Sequence, residues 1–366
     1  MIAVLFGYFE FYIAHMEITK LIRNMIVKKL VTALLLIFST AVWAGDFKNG
    51  QIAYQKGDYP AARFSFERAA AKGNISAQFA LYVMSSDATL SARVLPELPS
   101  LTTVSMDRDA LEALDLYKQG LLHDQGQGTA VNHTKAFQLY QQAAVKGSPL
   151  AQFRLGEMLQ KGDGIPVNFA EAARNYLLAA KQGHPSAQLN LGALHNSGLG
   201  VIQDFIEAHR YFKLAAAQGN ASALYNLGVF YHKGIGVARD DAEAARYYKL
   251  AVSKGIVLAE QNLGVMYTNG EGVDKDYVEA VRLFKMAAAQ GNDNAQHNLA
   301  FMYAQGKGIE QSLVKAHMWW NLAAATGNKS ALKNRGIVAN KMTPLQVVQA
   351  QGMARDCLAD EFVGCN

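Results

Sequence analysis

One spacing governs this chain. Gly147, Gly183, Gly219, Gly255, Gly291 and Gly327 are each 36 residues apart. Leucine-glycine pairs keep step with them at Leu155-Gly156, Leu191-Gly192, Leu227-Gly228 and Leu263-Gly264, then change to Leu299-Ala300. Glycine doublets recur from Gly126/Gly128 to Gly306/Gly308. Ala136, Ala172, Ala208, Ala244, Ala280 and Ala316 each stand four residues before an aromatic: Tyr140, Tyr176, Phe212, Tyr248, Phe284 and Trp320. A fixed period of this length is the mark of a repeat architecture.

Each unit reads as two antiparallel helices. Helix A, as in Ala151–Leu159, has apolar and small residues at three- and four-residue spacing. The Gly-x-Gly doublet ends it. Asn132, Asn168, Asp204, Asp240, Asp276 and Ser312 follow as N-caps of helix B. Glu171, Glu207, Glu243 and Glu279 stand three residues further on, where a reciprocal capping box is expected. Helix B carries the alanine, the aromatic and a small pair such as Ala179-Ala180, and the phase glycine closes it. Pro149 and Pro185 fall in the first turn of helix A, which tolerates proline. Gly156 and its equivalents allow close approach of the two helices, and the aromatic fills the gap. Such a hairpin cannot bury its apolar face alone and must stack on its neighbours. The expected fold is all-α, a right-handed α-α superhelix with a concave face.

The recurring Leu-Gly, Gly-x-Gly, Ala and Ala-Ala-x-x-Gly elements resemble the Sel-one-like repeat (SLR) family, relatives of the tetratricopeptide repeats. The resemblance covers 110–340 and implies about seven to eight SLR/TPR-like helix pairs in all. Segment 45–84, with Ala61-Ala62, Phe64, Phe66 and Ala69–Gly73, reads as a divergent N-terminal helical repeat. Residues 85–109, with Pro96 and Pro99, read as an irregular insert. Residues 341–366 read as a cap helix, opened by Thr343-Pro344, and a tail.

The N-terminus reads as an address. Lys28 and Lys29 precede the apolar run Leu30–Phe38, and Val42-Trp43-Ala44 fits a cleavage site, so 25–44 is expected to be a signal peptide. The run is shorter than a bilayer span. No cysteine follows the site, which argues against a lipoprotein anchor. Residues 1–24 precede a complete signal and are taken as an over-called extension, with Met25 the true start. The product is expected to be periplasmic or secreted, with no membrane span after cleavage. In that setting Cys357 and Cys365 read as a disulfide; the alternative is two free thiols.

The net charge is +5, and Lys20, Arg23, Lys28 and Lys29 against Glu10 and Glu17 account for +2 of it before residue 45. The weak remainder argues against a nucleic-acid partner. No nucleophile elbow, Walker motif or His-Glu-x-x-His helix is present. No two histidines are spaced i,i+4, and the recurrent glutamates belong to separate repeats. No cofactor, metal or enzymatic activity is expected.

One recurrence points to binding. Asn190, Asn226, Asn262 and Asn298 occupy one helix A slot in successive repeats, and Arg154 holds it in the repeat before. By resemblance to tetratricopeptide modules this slot can face the groove, where amides offer donors and acceptors to an extended backbone. The same mapping places Phe153, Glu157, Leu189, Tyr225, His232, Gln261, His297 and Phe301 nearby. The alternative is that the asparagines bond to the adjacent repeat. SLR resemblance implies an adaptor for a protein or peptide, in envelope assembly or host contact. Two other readings compete. One is β-lactam binding or hydrolysis, as in cysteine-rich SLR proteins, but those carry a cysteine pair in each repeat. The other is an accessory role in polysaccharide export.

Overall fold

A computed structural model describes residues 49–50, 52–53, 58–71, 81, 108–126, 128–360, 362 and 364–365. The readings of 1–24 and 25–44, and of the insert up to residue 107, lie outside them. The chain divides into two units, 1–114 and 115–366. The described elements are all helical. They are α1 (Tyr59–Ala71), α2 (Arg108–Gln125), α3 (His133–Val145), α4 (Pro149–Lys161), α5 (Phe169–Lys181), α6 (Pro185–Ser197), α7 (Phe205–Ala217), α8 (Ala221–Lys233), α9 (Asp241–Val252), α10 (Val257–Asn269), α11 (Tyr277–Ala289), α12 (Asp293–Gln305), α13 (Leu313–Ala325), α14 (Lys329–Ala339) and α15 (Pro344–Ala359).

In the first unit, α1 buries Ala62, Phe66 and Ala69. A Cβ on Gly50 would meet the Phe66 ring at 2.5 Å.

In the second unit, from α4 to α13, helices A and B alternate and each packs on its sequence neighbours. This is an α-α solenoid. The Leu-Gly glycine sets the distance between the two helices of a repeat. A Cβ on Gly156 would lie 2.5 Å from Tyr176, and one on Gly228 would lie 2.5 Å from Tyr248. Those aromatics are fully buried as a result. The second glycine of the later doublets, Gly164, Gly200, Gly236, Gly272 and Gly308, makes the contact between repeats. At Gly272 the backbone has φ +66°, and a Cβ would fall 2.0 Å from the carbonyl oxygen of Asp241, at the start of the preceding helix B. Here both the left-handed backbone and the missing side chain are required.

The N-caps fall on the six residues the sequence singles out. Asp240 accepts from the Glu243 N–H at 2.9 Å, Asn168 from Glu171 at 3.1 Å and Ser312 from Lys315 at 3.2 Å. Asn132, Asp204 and Asp276 do the same. The reciprocal capping box expected at these helices does not form. The cap's own N–H is already taken by a helix A carbonyl nine residues back: Asp240 by Tyr231 and Asp204 by His195, both at 2.9 Å. The glutamate is thereby released. Glu207, Glu243 and Glu279 instead pair with Arg210, Arg246 and Arg282, one turn on. Glu171 accepts from the Asn168 side chain at 3.3 Å. A full capping box occurs at α15, between Thr343 and Gln346.

Helix A also has caps. Ser148, His184, Asn220, Asn292 and Asn328 each accept from the N–H three residues on, whereas Ile256 offers no side-chain acceptor. Pro149 and Pro185 stand just inside their helices.

At the far end, α15 packs on α13 and buries Ala350, Ala354 and Cys357. The sulfurs of Cys357 and Cys365 are placed together as a pair. Gly336 of α14 keeps the Leu-Gly phase, yet nothing lies within 4 Å of where its Cβ would be. The slot that an aromatic fills in the full repeats is open there.

Candidate functional site

The asparagine slot divides in two. Asn262 donates to the Tyr248 hydroxyl oxygen at 3.3 Å. Asn190 bonds Tyr176, whose hydroxyl donates to Gln160 at 2.8 Å. Each tyrosine stands fourteen residues earlier, on helix B of the preceding repeat. For Asn226 and Asn298 that position is Phe212 and Phe284, which have no oxygen to offer. Both residues are half-buried, and neither amide has a protein partner among the described residues. Arg154 is engaged by Glu157 at 2.8 Å and by Tyr117. The Tyr248 phenol is buried, which pushes its pKa up to about 12 despite the Asn262 contact. Tyr248 therefore remains a neutral hydroxyl.

Tyr225, His232, Gln261 and Asn262 come together in one pocket of about 320 Å³. Its walls are Tyr225, Val229, His232 and Lys233 of α8, facing Gln261, Asn262, Val265 and Met266 of α10, with Tyr248 of α9 between them. The rings of Tyr225 and Tyr248 are 5.9 Å apart. His232 Nδ1 lies 2.9 Å from the Asp241 carboxylate. Asp241 is in turn held by Arg239, which with His232 keeps the carboxyl below its ordinary pKa. The lining thus combines phenols, amides, an imidazole and an ammonium over an aliphatic floor. It contains no serine, threonine or cysteine to act as a nucleophile beside the His232–Asp241 pair. Among the described residues no group of three His, Cys, Asp or Glu could hold a metal ion.

The other expected residues lie elsewhere. Phe153 stacks on His184 at 4.4 Å, and Glu157 is taken by Arg154. Leu189 packs against the cluster around Leu227 and Phe230. Phe301 is 39% exposed, with the Lys307 ammonium 5.8 Å away. His297 turns a buried Nδ1 inward, its ring 6.2 Å from Trp320, and burial pushes its pKa down.

The sequence reading gave no role to a second polar ladder. Gln152 and Gln188 are buried and accept from Gln182 and Gln218 of helix B at 2.8 Å. Gln152, Gln188 and Gln296 each donate to the carbonyl eight residues back, in the preceding helix B. Their shared phase is the signal that could have found them. Val229 and Val265 share one slot, and Met266 shares its slot with Met158 and Met302, but as apolar helix A residues they read as core rather than as pocket lining.

Alternating helices, glycine-set helix spacing and inter-repeat amide contacts define a solenoid of the tetratricopeptide-like class. The Sel1 repeat profile matches at 113–148, 149–184, 185–220, 221–256, 257–292 and 293–328, more than half of the chain, which therefore belongs to the Sel1 repeat family. The solenoid is similar to the crystal structure of a Sel1 repeat protein from Oxalobacter formigenes, with 34% identity, a TM-score of 0.53, and 60% of this chain and 91% of that one covered. A protective antigen of uropathogenic Escherichia coli with an SLR fold matches at 23% identity and a TM-score of 0.34, over 90% of this chain and 87% of that one. A sel1 repeat protein from Klebsiella pneumoniae matches at 24% identity and a TM-score of 0.37, over 56% and 99%. None of the curated proteins matches. Sel1 repeat proteins are in general scaffolds for protein interaction. No helix among the described residues is long and apolar enough to cross a membrane.

Proposed function

We propose that this chain is an exported, non-enzymatic adaptor that holds a protein or peptide partner against its helices A. The observation that carries the reading is the convergence of Tyr225, His232, Gln261 and Asn262 on one pocket. An aliphatic floor under amides and phenols suits an extended segment: a side chain enters while its backbone meets the amides. Export is supported by the Lys28–Ala44 pattern and by the cysteine pair, which an oxidising compartment would keep closed. Envelope assembly or host contact is the setting this implies.

The test is a photo-crosslinking residue at Val229, compared with one at Val145, which is 89% exposed and outside the pocket. Irradiation in the native cell and mass spectrometry should give a defined partner from Val229, and much less of it from Val145. Asn226→Ala combined with Asn298→Ala should weaken capture more than Asn262→Ala, whose amide is already bonded to Tyr248. Equal capture from both sites would reject the pocket as the binding site.

A further inference from the structure

Glu260 breaks the rule of its own ladder. It is 1% exposed, yet it carries a carboxyl where Gln152, Gln188 and Gln296 carry amides. One of its oxygens accepts from Gln290 at 3.0 Å, as Gln188 accepts from Gln218 and Gln152 from Gln182. In the amide cases the remaining atom is a nitrogen. It donates to a last-turn carbonyl of the preceding helix B, Ala180 for Gln188 and Ala288 for Gln296. The carbonyl equivalent to these in the repeat register, eight residues before Glu260, is that of Val252. A carboxylate has no proton to give to such a carbonyl, so it could not make the donor half of the glutamine contact. The neutral acid reproduces the glutamine pattern in full: its C=O accepts and its O–H donates.

We infer that Glu260 is held as the neutral acid and acts as a proton-operated latch between repeats 221–256 and 257–292. The surroundings favour this. The charged group acting on it is Arg282 of α11, which is already claimed by Glu279. Lys254, just past the end of α9, is exposed. Burial outweighs both Arg282 and the Gln290 contact and pushes the carboxyl above its ordinary pKa. The first-turn position in α10 favours the anion and so opposes part of the effect of burial. Helix α10 also lacks the side-chain N-cap its counterparts have, so the seam at Glu260 carries more of its docking.

The location gives the latch a consequence. Gln261, Asn262, Val265 and Met266 follow Glu260 on α10 and form one wall of the pocket, while α8 forms the other. Ionising Glu260 loosens the seam between these walls. The latch itself stands apart from the binding reading; its effect on a bound partner rests on that reading.

The sign follows from linkage. As pH rises through the ordinary carboxyl range, the unfolded chain releases this proton before the folded chain does. Stability therefore falls with rising pH, until the folded-state pKa is passed. Glu260→Gln supplies a permanent donor. It should melt higher than the wild type at about pH 8, with a gap that closes towards about pH 4. Amides of 257–269 should exchange faster in the wild type than in Glu260→Gln at the higher pH, and alike at the lower, while those of 185–197 show no difference. The converse variant, Gln188→Glu, should acquire a pH-dependent loss of melting temperature of the same sign. In the wild type itself, 13C-glutamate labelling should show one side-chain carboxyl titrating above the rest. A melting gap that does not vary with pH, or a Glu260 that titrates with the exposed glutamates, would overturn the latch. Loss of crosslinking at Val229 with these titrations intact would instead reject only the binding reading.

Discussion

Gly228 and Gly336 share a phase in the repeat but not an environment, and replacing each with alanine separates packing from helix propensity. A methyl at Gly228 would stand 2.5 Å and 2.6 Å from two Tyr248 ring carbons. Ordinary carbon contacts begin near ~3.5 Å, so the ring or the helix must retreat by about 1 Å. Tyr248 is 1% exposed and tied to Asn262, so there is no free space for it to enter. Overpacking of this kind costs about 1–3 kcal/mol, against which alanine recovers about 0.5–1 kcal/mol of helix propensity. The net expectation for Gly228→Ala is a loss of up to about 2.5 kcal/mol, centred on about 1 kcal/mol. Gly336 is helical with nothing within 4 Å of its Cβ direction. Gly336→Ala should therefore gain about 0.5–1 kcal/mol. Urea denaturation of the full chain followed by circular dichroism measures both, with the slope checked because solenoid repeats can uncouple. If Gly228→Ala proved neutral or stabilising, glycine would not set the helix spacing, and the packing argument for every repeat would fail with it.

Asp240→Ala should cost about 1 kcal/mol, since the Glu243 N–H loses its acceptor, while Asp240→Asn should restore most of the midpoint in the same denaturation assay. His184 caps α6 by accepting from the Ala187 N–H at 3.2 Å, and burial, with Arg154 nearby, pushes its pKa down to about 4. The unfolded chain takes up this proton first as pH falls below about 6.5, so the stability His184 contributes above that pH drains away down to about 4, by on the order of 2 kcal/mol. His184→Asn keeps a cap acceptor without the titration and should flatten this part of the melting profile; parallel profiles for the two proteins would show that His184 is not a neutral cap.

Much of the solenoid was legible because its determinants are local and repeated. Gly228 and Tyr248 stand twenty residues apart in a single hairpin, and the cap at Asp240 reaches only to Glu243. The capping box failed for a non-local reason. The spacing of Asp240 and Glu243 satisfies the motif, but the Asp240 N–H has a partner in Tyr231, across the turn on helix A. The end of the array misleads in a similar way. Gly336 keeps the phase of a glycine that faces an aromatic, yet α15 docks on α13 and leaves that glycine uncovered. The pocket was half legible. Tyr225, His232, Gln261 and Asn262 could be placed on one face by register, whereas Val229 and Met266 become neighbours only when two repeats are stacked.

The asparagine slot shows why a repeated residue need not have a repeated role. Its residues are identical at 190, 226, 262 and 298, but the side chain beneath each one alternates between tyrosine and phenylalanine. Where tyrosine lies beneath, the amide is spent on stacking one repeat against the next, as at Asn262 on Tyr248. Where phenylalanine lies beneath, at Phe212 and Phe284, the aromatic fills the same buried space and offers the amide no oxygen. The structural reading of the ladder therefore holds for Asn190 and Asn262, and the proposed binding role is confined to Asn226 and Asn298. A single hydroxyl on the preceding repeat divides them: with it, as at Tyr248, the amide is held between repeats; without it, as at Phe212, the amide has no protein partner among the described residues.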